Sequence, residues 1–167
     1  RVTGPGQVPV LASVGTGGTL GGTTLYLKER NPKIFVGCAD PYGAAMWSWF
    51  TNGNTETNDG DSFAEGIGQG RVTKNIEGIA VDGAWRIPDQ DALTILYQLL
   101  REEGLFLGLS SGINVAGAVR LALERGPGPT IVTILCDSGA KYQSRIFNPE
   151  WLAANGLRTD LFVDTLL

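Results

Sequence analysis

The 167-residue chain contains no histidine. That absence excludes Ser-His-Asp and Cys-His nucleophile systems, His-ligated zinc, and proton transfer by imidazole. No metal site is expected. Cysteine is nearly absent as well: Cys38 and Cys136 each lie in or beside an apolar run, Ile34 to Ala39 and Ile131 to Leu135. They are predicted to be two buried, reduced thiols of a cytoplasmic protein rather than a disulfide. No stretch of 18 apolar residues exists, and no charged-then-apolar leader opens the chain, so neither a membrane span nor a signal segment is expected. There is no basic tract, and 13 Lys plus Arg against 17 Asp plus Glu leave a net charge of −4. That balance argues against nucleic-acid and anionic-membrane partners.

What is present in excess is glycine, 24 of 167 residues, against an average near 7%. It has no collagen-like period, so its clusters should mark tight turns and close backbone approaches. With 43% hydrophobic and 18% charged residues, residues 1–167 read as a single globular domain.

Apolar runs alternate with helical patterns, which predicts an α/β fold with a mostly parallel sheet flanked by helices. Val8 to Val14 reads as a buried strand. Leu20, Thr24 and Leu27 mark a helix that stops near Arg30, ahead of Asn31-Pro32. Lys33 to Ala39 reads as a second strand, and Thr51 to Ser62 as a long polar loop or lid. Gly78 to Val81 reads as a short extended segment. Pro88-Asp89-Gln90-Asp91 opens a helix with Ala92, Leu93, Leu96, Leu99 and Leu100 as its apolar stripe, and Gly104 ends it. Leu105 to Leu109 reads as a strand. Ser110, Ser111 and Gly112 read as the cap of a helix over about 113–124, with Val115, Val119 and Ala122 inward. Thr130 to Leu135 is the last strand, followed by a short helix and an amphipathic stretch from Pro149 to Asn155.

The densest chemical signal is Val14-Gly15-Thr16-Gly17-Gly18-Thr19-Leu20, between a strand and a helix. There a parallel sheet presents backbone N–H groups and a positive helix end, and glycines let an anion approach. Phosphate is the natural occupant. A Walker loop would require Gly-Lys-Ser/Thr where Thr19-Leu20-Gly21 stand. A dinucleotide fingerprint would require glycine at position 20, although Asp40 stands where a ribose-binding acid would, which keeps an NAD-dependent oxidoreductase as a competitor. The third option is a cofactor with a single phosphate.

Gly15-Thr16-Gly17-Gly18-Thr19 resembles the phosphate loop of the cysteine synthase (O-acetylserine sulfhydrylase) and cystathionine β-synthase family. Three further stretches agree in order and spacing: Glu65-Gly66-Ile67-Gly68; Glu103-Gly104-Leu105 through Ser110-Ser111-Gly112; and Leu135-Cys136-Asp137-Ser138-Gly139 with Tyr142. Thr3-Gly4-Pro5 resembles the family's approach to the first strand. The resemblance runs to about Trp151.

It implies the C-terminal domain of a fold-type II enzyme dependent on pyridoxal 5'-phosphate. Gly15, Thr16, Gly17, Gly18 and Thr19 would bind the cofactor phosphate, and Ser138 the pyridine nitrogen, with its neighbour Asp137 as the alternative. Gly66, Ile67 and Gly68 would line the mouth near the amino-acid substrate. The family's Schiff-base lysine, in Ser-x-Lys-Asp-Arg, and its Thr-Ser-Gly-Asn-Thr substrate loop do not occur. Lys28, Lys33, Lys74 and Lys141 lack that context. The expectation is therefore a C-terminal fragment without the catalytic lysine, inactive alone. The complete protein would be a cytoplasmic homodimer in cysteine biosynthesis, a transferase or lyase joining sulfide to O-acetylserine or serine by β-replacement. Cystathionine β-synthase, cysteine desulfhydrase and serine/threonine deaminase are the family's alternatives, and a non-catalytic interaction module is the alternative outside enzymology.

Overall fold

The computed structural model describes residues 8–57 and 60–160. Thr3-Gly4-Pro5 lies outside them. Four parallel strands form one sheet: β1 (Val10–Ala12), β2 (Val36–Pro41), β3 (Gly83–Ile87) and β4 (Val132–Thr133), in the order β3-β2-β1-β4. Among the described residues five α-helices accompany it: α1 (Gly18–Arg30), α2 (Met46–Asn52), α3 (Asp89–Glu103), α4 (Leu109–Arg125) and α5 (Pro149–Ala154). Side chains alternate across the sheet, as a strand buried on both faces requires. Leu11 and Ala39 face a cluster with Leu93, Leu96, Ile113 and Leu121 of α3 and α4. Ala12, Val14, Val36 and Cys38 face Leu20 of α1, Met46 of α2 and Ile76. The α/β architecture with a parallel sheet stands as the sequence implied.

Several local expectations shift. α4 begins four residues before the expected start, capped by Gly108, so Ser110, Ser111 and Gly112 lie buried within its first turn rather than capping it. Its most deeply buried face is Ile113, Ala116, Gly117 and Leu121; Val115 and Val119 pack against the same core half-buried, whereas Ala122 is exposed. Glycine sets that face. A Cβ on Gly117 would come within 2.7 Å of the Ala39 Cβ, and one on Gly112 within 2.9 Å of Leu96 Cγ. Close packing on the sheet and on α3 therefore selects positions that carry no hydrophobic signal. The short extended segment predicted at Gly78 to Val81 forms no strand; β3 begins at Gly83, while Ile79 packs near Gly21 of α1. Leu105 to Leu109 contributes a single antiparallel bridge, Leu107 to Ser138, rather than a strand. α2 occupies Met46–Asn52, where the sequence suggested only turn and loop.

α2 depends on Asp40. This residue is 0% exposed, and its Oδ2 accepts the Trp47 N–H at 2.8 Å. Among the described residues its Oδ1 has no partner at hydrogen-bond geometry. Burial pushes the Asp40 carboxyl up from its ordinary 3.8 to about 6, against the opposing pull of the Trp47 and Met46 N–H groups and Arg86. The folded chain thus keeps a proton that the unfolded chain has released. Stability contributed by this proton is complete below about pH 4 and is lost as pH rises through about 6. The loss is on the order of 3 kcal/mol. Urea midpoints compared at acidic and neutral pH should show it in the wild-type chain, and Asp40→Asn should remove that decline.

Candidate functional site

The chain leaves β1 toward α1 and β2 on one side, while β4 lies on the other side of β1. The loops after β1 and β4 therefore part at their carboxyl ends, the position where open parallel sheets form ligand crevices. A cavity of about 330 Å³ opens there, lined by Gly15, Thr16, Gly17, Gly18, Thr19, Glu65, Gly66, Ile67, Ser110, Cys136 and Asp137. Its size falls within the range of small-molecule sites.

The glycine loop forms its floor. Gly17 adopts φ +85 and caps α1, and no side chain caps that helix. The positive end of a 13-residue helix consequently faces the cavity with its first N–H groups. The Thr16 carbonyl, which would repel an anion, is bound by Thr73 Oγ1 at 2.8 Å and Asn75 Nδ2 at 3.0 Å. Gly15 lies so near the Gly66 carbonyl that a Cβ would overlap it, and the Gly68 N–H donates to Val14 O at 3.0 Å. The two glycine loops form one wall.

Among the described residues no Lys or Arg lines the cavity, and two carboxylates do. Each is already partnered. Asp137 accepts the Tyr142 O–H at 2.5 Å and lies 3.5 Å from Lys141 Nζ, with Ser110 Oγ donating at 3.4 Å. That bond, followed by burial, pushes the Tyr142 phenol up to about 12. Glu65 accepts from Arg145 Nη1 at 2.5 Å. A phosphate group fits this donor set: the start of α1 with Thr16 and Thr19 lines the cavity, while the neighbouring carboxylates are engaged elsewhere.

The structure brings Gly15 to Thr19 together with Gly66 and Ile67. Gly68 lies behind them beside Pro41 and Ala44. Ser138 is exposed at the head of a 3-10 turn, its Oγ accepting the Ala140 N–H at 3.2 Å, just past the wall residues Cys136 and Asp137. Cys136 was expected to be buried. It is exposed and lines the cavity, whereas Cys38 is buried, where desolvation pushes its thiol up; both are free. Ser110, expected as part of a helix cap, and Asp137, the alternative to Ser138 as ring-nitrogen partner, both line the wall. Asp40 is sealed in the interior beneath α2, so it offers nothing to a ribose.

The family model for pyridoxal-phosphate dependent enzymes matches residues 5–137. The chain belongs to that family. Cysteine synthase of Dictyostelium discoideum is 41% identical over 151 residues, and cysteine synthase 1 of Emericella nidulans is 43% identical over 152. These matches take in 85% and 87% of this chain, and the chain spans about 40% of the length of each relative. A cystathionine beta-synthase of Dictyostelium discoideum is 32% identical over 147 residues. Among solved structures, the O-acetylserine dependent cystathionine beta-synthase from Helicobacter pylori superposes with a TM-score of 0.73 at 31% identity, covering 86% of this chain and 44% of that one.

The crowding at Gly15 and the openness at Gly22 make a matched pair. Gly22 lies on the exposed side of α1 with nothing within 4 Å of a Cβ. Gly22→Ala should stabilise the chain by about 0.5–1 kcal/mol in denaturant titration. Gly15→Ala should push the two glycine loops apart and weaken inorganic phosphate binding by about tenfold or more in calorimetric titration.

Proposed function

We propose that the chain is the cofactor-holding part of a pyridoxal-phosphate dependent cysteine synthase that adds sulfide to O-acetylserine or serine by β-replacement. The observation carrying this reading is the uncapped start of α1 meeting the 66–68 loop at one cavity, in a chain 41–43% identical to cysteine synthases. Gly15, Thr16, Gly17, Gly18 and Thr19 would hold the cofactor phosphate. Gly66, Ile67 and Gly68 would border the amino-acid substrate. Ser138 would hold the pyridine nitrogen: its Oγ accepts from Ala140 and keeps its own proton to donate. A hydroxyl donor suits a neutral ring nitrogen, which favours elimination and replacement over a long-lived carbanion. Bound there, pyridoxal phosphate supplies the electron sink for cleaving the bond to the substrate α-proton.

This chain's part is to bind and orient. Lys28 is paired with Asp82 at 2.7 Å and Lys141 faces Asp137, so neither is read as the catalytic amine. That group is assigned to a part of the complete protein outside these 167 residues. Cystathionine β-synthase chemistry on the same scaffold is the second reading, supported by the Helicobacter pylori structure. Among the described residues no helix is long and apolar enough to cross a membrane. Two free thiols suit a reducing compartment, and we read the complete protein as a cytoplasmic homodimer with residues 1–167 as one α/β unit.

The purified chain titrated with pyridoxal phosphate should show saturable binding that inorganic phosphate competes away. Borohydride should fix no cofactor in the cavity, and no cysteine should form from O-acetylserine and sulfide. Ser138→Ala should weaken cofactor binding with the circular dichroism unchanged. Tight NAD binding without pyridoxal phosphate binding would overturn the reading.

A further inference from the structure

Asp89 opens α3 and would serve a helix start equally well while exposed to water. It is instead only 9% exposed. Its Oδ1 accepts the Ser62 O–H at 2.5 Å and its Oδ2 accepts the Phe63 N–H at 2.6 Å. Burying a carboxylate is costly unless its oxygens find donors. Both oxygens here are spent on one irregular stretch that ends two residues before Glu65. Ser62 Oγ also accepts the Ala64 N–H at 3.1 Å, and the Phe63 ring meets Trp151 edge-on at 4.8 Å. From there the chain runs directly into Glu65 and Gly66 of the cavity wall, and onward to Gly68, whose N–H is bonded to Val14. Asp91, in the same helical turn, does something else: it pairs with Arg120 at 2.8 Å.

We propose that Asp89 is a positioning residue for the cavity: through Ser62 and Phe63 it sets where the 65–68 loop lies against the 15–19 loop. Its carboxylate touches neither loop and acts from the far end of the intervening segment. What the cavity holds is taken from the functional reading above, but the geometry and its test do not depend on it.

Residue-resolved amide hydrogen exchange on the 167-residue chain decides the matter. Asp89→Ala and Ser62→Ala should speed exchange at the Phe63 and Gly68 amides by about tenfold or more, a local opening rather than global unfolding. Asp89→Asn keeps a side-chain carbonyl acceptor and should restore most of the protection. Asp91→Asn removes a charge from the same helix start, together with the Arg120 pair. It should lower the melting temperature while leaving those two amides within about twofold. Unchanged Gly68 exchange in Ser62→Ala would overturn the proposal. So would acceleration spread equally over β1 and β2, or an equal effect of Asp91→Asn. Ser62 lies outside the helices, so its variant keeps the test sound if Asp89→Ala does not fold. Failure of the wild-type chain to bind pyridoxal phosphate would sink the functional reading and leave the exchange result to judge this one.

Discussion

Asn114 holds the point on which the site depends. β1 and β4 pair only through Val10 and Leu11, and beyond them the strands part. The Ser13 N–H and the Ile134 carbonyl are then left without ladder partners. Asn114, 1% exposed on α4, takes both: its Oδ1 accepts from Ser13 at 2.6 Å and its Nδ2 donates to Ile134 O at 2.8 Å. A side-chain amide carries one acceptor and two donors, so it can bridge strands that have separated where a backbone cannot. The separation is what opens the crevice. Ser111, one turn earlier on α4, repeats the device by accepting the Cys136 N–H at 2.9 Å.

With the strands held apart, the cavity can receive an anion without a cation of its own. Two carboxylates on its wall would oppose a phosphate, and each is tied to a donor lying off the wall, Tyr142 for Asp137 and Arg145 for Glu65. The Glu65 pair is half exposed and contributes little to stability. Its consequence is local, in drawing the carboxylate toward Arg145. Attraction comes from oriented N–H groups at the start of α1, which fall off within one helical turn and so act on whatever sits against Gly17. On the proposed reading, a net charge of −4 would not oppose a doubly charged group here, because short-range dipoles would decide the contact.

Legibility in the sequence followed the physics of each element. The loop from Gly15 to Thr19 was readable because three glycines between a strand and a helix have few purposes, and the structure lines a cavity with them. α3 was readable because its stripe is made of Leu, Ile and Ala at helical spacing and ends on Gly104 at φ +69. α4 was read in part: Val115 and Val119 pack against the core as expected, whereas the close contacts of Gly112 and Gly117 rest on the absence of a side chain and left no hydrophobic signal. α2 was missed because Trp47, Trp49 and Phe50 carry modest helix propensity, and the bond that starts it comes from Asp40, outside the helix. β3 had no counterpart among the expected strands: the extended segment read at Gly78 to Val81 precedes it, and Ile79 there packs beside Gly21 of α1.

The same distinction accounts for the acids. Asp40, Asp89 and Asp91 look alike in sequence, each a carboxylate at the edge of an element. Asp91 behaves as its position suggests and pairs with a nearby guanidinium. Asp40 and Asp89 are buried, and burial pushes the carboxyl up in both. Each accepts its hydrogen bonds from a neighbouring segment with few other constraints: the start of α2 for Asp40, the approach to the 65–68 loop for Asp89. A weak, irregular stretch cannot fix its own path by propensity, so a desolvated carboxylate from a rigid element fixes it, and the cost of burial is offset by the donors it captures. Sequence spacing carries no record of which acids are used this way, because the partners lie 7 residues away for one and 26 or 27 for the other.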